Sequence, residues 1–339
     1  MQLVSRGGRQ SIESCLDIEY SMEPVSDKQA ESPAEHQLKG DRAPLAIVTV
    51  TYSPGDHLRH FLDSLADATS REFVVVMADN GSTDGAPEAA VAPNVELLHT
   101  GGNVGYGTAV NIAARLLARR RGHENAVDSE FFVIANPDVE FSPGSIDRMI
   151  EAASRHPRAG AVGPKIVEPD GNVYPSAREV PEVISGIGHA LLGPIWKNNP
   201  WSKKYRRGAD LDREREAGWV SGSCLLVRWD AFESIGGFDE RYFMYMEDVD
   251  LGDRMTHAGW QNIFTPEATV THAQGHSANK HKSAMLPAHH DSAYRFQADR
   301  HPGLRWLPLR VALWCGLKAR TGISVAWAGL DSHTRGHQS

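Results

Sequence analysis

The chain is short of cysteine, of excess positive charge and of long apolar runs. Cys15, Cys224 and Cys315 are the only cysteines in 339 residues, and they lie far apart. That spacing makes neither a paired metal site nor a disulfide framework, and it predicts a reducing compartment. Acids outnumber bases by 43 to 35, for a formal net charge of -8 and a pI of about 6.0. A nucleic-acid partner held by bulk positive charge is therefore not expected. No uninterrupted apolar run is long enough to cross a bilayer, and the N-terminus lacks the apolar core of a secretory signal. The remaining composition, 41% hydrophobic and 23% charged, is that of an ordinary globular protein. Its length suits one large α/β domain with extensions.

Three regions are predicted. Residues 1–42 are polar and mixed in charge, without periodicity, and are expected to be a disordered tail. Residues 43–300 carry the folded domain. In residues 301–339, Trp306, Leu307, Leu309, Val311, Leu313, Trp314 and Leu317 alternate with Arg305, Arg310, Lys318 and Arg320, and no acid follows until Asp331. Such a segment suits a membrane interface, a helix packed on the domain, or an oligomer contact.

Within the domain, Leu45–Thr51, Phe73–Met77, Val95–Leu98 and Phe131–Ala135 read as buried strands, and apolar residues at helical spacing fill the intervals. Strand, helix and strand at this spacing indicate βαβ units with a parallel sheet. Ser142 and Pro143 read as the N-cap and first residue of a helix. Residues 161–174 read as a hairpin, 176–217 as irregular, 219–227 as one strand bearing Ser221-Gly222-Ser223, and 263–264 and 269–271 as short strands. Within the irregular stretch, Trp196, Lys197, Trp201, Lys203, Lys204, Tyr205, Arg206 and Arg207 form an aromatic and basic loop, which reads as a lid over an anionic substrate, a membrane-facing loop or a solvated surface.

Ligands of parallel sheets bind beyond the carboxyl ends of the strands, and the chemistry-bearing residues gather there. Asp79 ends the second strand, as an Asx-turn residue or a ligand contact. Gly101–Gly107 precedes a helix, where free N–H groups favour a diphosphate; its spacing is not that of a dinucleotide fingerprint. Asn136-Pro137-Asp138 ends the fourth strand, where a carboxylate beside a diphosphate suits Mg or Mn. His272 follows a late strand, as a packing residue or as a ligand to metal or phosphate. Glu247, Asp248 and Asp250 open a helix. Acids there stabilise the free N–H groups, or one of them is a general base. Their crowding predicts at least one raised pKa.

The ordered set Val50-Thr51-Tyr52, Asp79-Asn80-Gly81-Ser82-Thr83-Asp84, Gly102-Asn103-Val104-Gly105-Tyr106-Gly107, Asn136-Pro137-Asp138, Gly222-Ser223, Glu247-Asp248-Val249-Asp250 and His272 with Ser277 resembles the inverting nucleotide-sugar glycosyltransferases of family 2, over roughly residues 45–275. The Gly102 loop and the Asn-Pro-Asp form are similar to its rhamnosyltransferase branch, including members that build the linker between peptidoglycan and arabinogalactan. The resemblance implies a GT-A fold, an α/β architecture with a mixed, mostly parallel central sheet flanked by helices. It implies a dTDP-rhamnose donor, a polyprenyl-diphosphate-linked N-acetylglucosamine acceptor and a peripheral location on the cytoplasmic face of the cell membrane.

Residue by residue, it implies that Thr51 and Asp79 hold the pyrimidine base, with Tyr52 and Asn80 beside them. Gly102, Asn103, Gly105, Tyr106, Asn136 and Gly222 would approach the nucleotide and donor sugar. Asp138 and His272 would hold a divalent metal, Mg or Mn, although Asn136 stands where the family's Asp-x-Asp motif has its first carboxylate. Asp248 would be the base and Glu247 would orient the acceptor. Alternatives are another donor such as UDP-galactofuranose, a nucleotidyltransferase, whose usual Gly- and Lys/Arg-rich loop after the first strand is replaced by Tyr52-Ser53-Pro54-Gly55, and a non-catalytic binding protein. The oligomeric state stays open.

Overall fold

A computed structural model of the protein describes residues 43–121, 126–182, 210–273 and 282–335, with side chains in the last stretch described over 287–322. The predicted tail, the basic aromatic loop from Trp196 to Arg207, and Gly275, His276 and Ser277 lie outside the described residues. Residues 42–339 cluster as one compact unit.

The strands are β1 (Leu45–Thr51), β2 (Phe73–Asp79), β3 (Val95–His99), β4 (Phe131–Ala135), β5 (Val139–Phe141), β6 (Ala159–Val167), β7 (Val173–Tyr174), β8 (Ala177–Arg178), β9 (Arg215–Ala217), β10 (Trp219–Val220), β11 (Cys224–Arg228) and β12 (Gln261–His272). The helices are α1 (His57–Ala68), α2 (Ala86–Ala89), α3 (Tyr106–Arg120), α4 (Ser145–Arg155), α5 (Trp229–Ser234), α6 (Glu247–His257), α7 (Lys282–Arg300) and α8 (Leu307–Arg335).

The main sheet runs β3-β2-β1-β4-β11-β6-β12-β5. β1 is parallel to β2 and β4, and β2 to β3, while β11 lies antiparallel between β4 and β6. β1 shows why the sheet is covered on both faces. Leu45 and Ile47 join one apolar cluster with α1 and α4, and Ala46 and Val48 join the other with α3, α5 and α6. The period of two divides an unbroken apolar strand between two helical layers. Each fully buried Leu or Phe contributes about 1.5–3 kcal/mol.

Register brings the polar residues to one edge. Thr51 pairs with Asp79, Thr49 with Ala135, Cys224 with Ala135, and His272 with Val139. Thr51, Asp79, Asn136, Asp138, Gly222 and His272 therefore share one end of the sheet. The chain turns from β1 to β2 on one side and reaches β4 on the other, the kind of switch point where a crevice opens.

Several local expectations need correction. α4 begins at Ser145 with Gly144 as N-cap, at φ 71°; Pro143-Gly144 forms a turn, and Ser142 accepts the Ser145 N–H. Residues 219–227 are not one strand, because Ser221-Gly222-Ser223 is a turn between β10 and β11. The irregular stretch contains β8 and β9. Residues 261–272 are one strand with a bulge between Thr265 and Thr269.

Candidate active site

Asp79 organises the first wall. Its Oδ1 accepts from Thr51 Oγ1 at 2.8 Å and Ser82 Oγ at 2.5 Å, and its Oδ2 accepts from the Gly81 and Ser82 N–H groups at 3.1 Å each. Burial pushes its pKa up, but these donors outweigh it and hold the carboxyl below its usual value. Its lone pairs are thus largely filled by its own loop. Thr51 is wholly buried and its hydroxyl donates to Asp79, so within this wall it positions that carboxylate. Asn80, 4% exposed, also acts within the wall, its Nδ2 donating to Gly105 O at 3.3 Å. The Thr100 hydroxyl lies 2.8 Å from Asp79 O, Asn80 Oδ1 and Gly102 O, which ties this wall to the glycine loop. Tyr52 is 55% exposed.

The glycine loop divides by role. At Gly102, φ is 143° and a Cβ would meet open space; Asn103 beside it is exposed. Gly105 packs against the loop that leads into α6. A Cβ there would lie 2.6 Å from Phe243 O, so this glycine serves close packing. Tyr106 turns inward and donates to Gly222 O at 2.6 Å. Burial, then the charges of Glu247 and Asp248, push its pKa well up, so it stays a donor.

Gly222 is the hinge between two walls. Its N–H donates to Asp248 Oδ2 at 3.0 Å, while Asp248 Oδ1 accepts from the Val249 N–H at 2.8 Å. Burial raises the pKa of Asp248, although the Gly222 and Val249 N–H groups and the Arg178 charge oppose it. Burial and the adjacent Asp248 raise that of Glu247 as well. Glu247 Oε2 is a buried oxygen without a hydrogen-bond partner among the described residues. Asp250 differs in role, being paired with Arg254 at 2.7 Å within the helix.

The approach to α6 is strained. Tyr245 and Met246 have φ of 66° and 68°, a region that costs non-glycine residues about 1–2 kcal/mol each. α7 clamps this loop: Ser292 Oγ donates to Met244 O at 2.9 Å, His289 meets the Tyr245 ring edge-on at 5.3 Å, and Phe296 packs with Tyr242 and Val249. Strain retained by surrounding packing is characteristic of functional loops. Neither the clamp nor Thr100 was legible as a motif. Residues 282–300 carry no apolar periodicity and have Pro287 inside the helix, so nothing in the sequence pointed to the clamp.

Asp138 and His272 meet as the sequence suggested. Asp138 Oδ1 and His272 Nε2 are 3.0 Å apart, and Asn136 Nδ2 is 3.5 Å from the same nitrogen. No third carboxylate, imidazole or thiolate joins them among the described residues. Neighbouring donors around an octahedral cation with bonds of about 2.1 Å stand about 3.0 Å apart, so the pair fits such an ion, with remaining positions for phosphate or water oxygens.

Residues 46–236 match the model of Glycosyl transferase family 2. The chain is 55% identical over 285 residues to the N-acetylglucosaminyl-diphospho-decaprenol L-rhamnosyltransferase of Mycobacterium tuberculosis, covering 83% of this chain and 92% of that protein. It is 24% identical to the rhamnosyltransferase WbbL of Escherichia coli K12, over 75% and 92% of the two chains. A mannosyltransferase of Pyrobaculum calidifontis, solved with GDP-Man and Mn2+, superposes with a TM-score of 0.51 at 16% identity, over 89% and 80% of the two chains. That structural likeness supports the GT-A fold. Sheet order, site geometry and family match lead to one assignment: the chain belongs to glycosyltransferase family 2.

Proposed function

We propose that this enzyme transfers L-rhamnose, with inversion, from dTDP-β-L-rhamnose to the 3-hydroxyl of N-acetylglucosamine on a polyprenyl diphosphate. The observation that carries the chemistry is Asp248, a carboxylate of raised pKa held between the Gly222 and Val249 N–H groups. The rhamnosyl group and the N-acetylglucosaminyl-diphospho-decaprenol acceptor are those named for the 55% identical relative, and the dTDP carrier and the 3-hydroxyl rest on the motif resemblance.

In this reading Asp248 takes the proton of the acceptor hydroxyl as its oxygen attacks the anomeric carbon. The bond from that carbon to the diphosphate oxygen breaks on the opposite face, and its electron pair leaves with dTDP. The unpartnered Glu247 Oε2 would accept from a second acceptor hydroxyl. Asn103 and the open backbone at Gly102 line the donor side, and exposed Tyr52 offers a ring to the base. Asp138 and His272 would hold Mg or Mn, which when bound neutralises charge on the leaving diphosphate.

A lipid-linked acceptor calls for a membrane surface. No helix among the described residues is long and apolar enough to cross one. Instead α8 and the turn before it expose Leu304, Leu307, Val311 and Trp314, with Arg305 and Arg320 nearby. This face suits an anionic leaflet, as on the cytoplasmic side of the cell membrane.

The test is product formation from dTDP-rhamnose and a polyprenyl-diphosphate N-acetylglucosamine, with and without Mg or Mn, against UDP-sugar controls. Metal-dependent rhamnosyl transfer from the dTDP donor supports the reading. Transfer from UDP-galactofuranose instead would discard rhamnose, and turnover of no donor would favour a binding role.

A further inference from the structure

Arg178 differs from the ion-paired arginines of the fold. Arg71, Arg120, Arg228 and Arg254 each pair with a carboxylate at 2.6–2.7 Å. Arg178 is partly buried, yet among the described residues it has no carboxylate partner. Its Nε donates to Pro175 O at 2.9 Å, which fixes the stem, and its guanidinium carbon lies 5.8 Å from the centre of the Tyr174 ring. Among the described residues the other donors of the fork have no hydrogen-bond partner. A planar fork with free donors matches phosphate oxygens.

Its position in the fold ties it to the acceptor side. β8 pairs with β10, Arg178 opposite Trp219, and three residues beyond Trp219 is Gly222, whose N–H holds Asp248. The positive charge of Arg178 is felt at Asp248 and at Tyr174, and Tyr174 in turn feels Asp248. In the proposed function the donor's diphosphate lies at Asp138 and His272. On an N-acetylglucosaminyl diphosphate, the hydroxyl at C3 and the phosphate at C1 flank a single ring. A hydroxyl at Asp248 therefore brings its phosphate about one sugar ring away.

We infer that Arg178, braced over the Tyr174 ring, is the anchor for the acceptor's diphosphate. The inference rests on the proposed lipid-diphosphate acceptor and deepens it. It has a consequence for the base. In the free enzyme the Arg178 charge lowers the proton affinity of Asp248. An arriving diphosphate cancels that charge, so the base strengthens as its substrate binds.

The test compares wild type with Arg178→Ala and Arg178→Lys. Transfer is measured to a short-chain prenyl-diphosphate N-acetylglucosamine and to octyl N-acetylglucosaminide, which lacks phosphate. Arg178→Ala is expected to lose at least about tenfold more kcat/KM with the first acceptor than with the second, mainly through KM. Arg178→Lys is expected to regain part of that loss. The acid limb of kcat/KM for the octyl acceptor should move to higher pH in Arg178→Ala. Equal losses with both acceptors, or no loss, overturn the inference.

A second measurement is binding of farnesyl diphosphate to enzyme already saturated with dTDP. It is expected to weaken by about tenfold in Arg178→Ala while dTDP affinity stays the same. A matching loss in dTDP affinity would assign Arg178 to the donor and overturn the inference. If wild type uses neither acceptor, the proposed function fails, and farnesyl diphosphate binding still decides whether Arg178 holds a second diphosphate.

Discussion

The Gly222 N–H donates to Asp248 at 3.0 Å while the Gly222 carbonyl accepts from Tyr106 at 2.6 Å. One peptide-level hinge thus links the helix after the glycine loop to the base. A Cβ at Gly222 would lie 3.1 Å from Asp248 Cβ, closer than ordinary contact. Gly222→Ala should displace the carboxylate without touching the donor walls. The expected result is a fall in kcat of about 10–100-fold, consistent with angstrom-scale misplacement of a reacting group, with dTDP affinity within about twofold of wild type. Steady-state kinetics and calorimetry check it. A wild-type kcat would mean that Asp248 is not confined by this contact.

Asp248→Asn removes the proton acceptor and keeps the shape. Loss of general-base catalysis is worth about 10²–10⁴ in kcat, and donor binding should persist. In wild type the base works only when ionised, and its burial raises its pKa. The acid limb of the pH profile should therefore lie above the usual carboxylate range, with activity falling as pH drops through it. A profile flat down to pH about 4 would contradict the assignment.

Glu247 makes the opposite statement about stability. Its raised pKa means that the folded state holds this proton more tightly than the unfolded chain. Folding is favoured by that difference below the ordinary carboxylate pKa, and the advantage is lost as pH rises through the raised value. Glu247→Gln removes a buried charge that has no partner. It should raise Tm at pH 8.5 by more than at pH 5, corresponding to about 1 kcal/mol or more, while transfer to the acceptor weakens. Equal shifts at both pH values would show that Glu247 is not protonated preferentially in the fold.

The sheet and its polar edge were legible because their signals are local. β1, β2 and β4 are apolar runs whose ends carry Thr51, Asp79 and Asn136, and register did the rest. What the sequence hid is the direction in which side chains are used. Thr51 and Gly105 have the residue types of a ligand wall, yet Thr51 points its hydroxyl at Asp79 and Gly105 yields to Phe243 O. Arg178 was unremarkable in a stretch without periodicity, since its environment is set by β10, some forty residues on. The α7 clamp on Met244 and Tyr245 is likewise a tertiary contact, with no pattern in either partner.

The metal pair offers a prediction with a readout besides turnover. If Asp138 and His272 hold the cation, His272→Ala leaves a single carboxylate beside Asn136, and an amide is a weak partner for a hard ion. Mn2+ affinity measured by electron paramagnetic resonance in the presence of dTDP should fall by about 10–100-fold, the range for loss of a metal-supporting residue. His272→Gln should recover little, because the imidazole nitrogen 3.0 Å from Asp138 Oδ1 is the donor that matters. Asp138→Asn should be at least as damaging, since it removes the charge as well. Unchanged Mn2+ binding in both variants would assign the pair to phosphate contact or packing, and would move the search for the metal site to oxygens of the bound diphosphate.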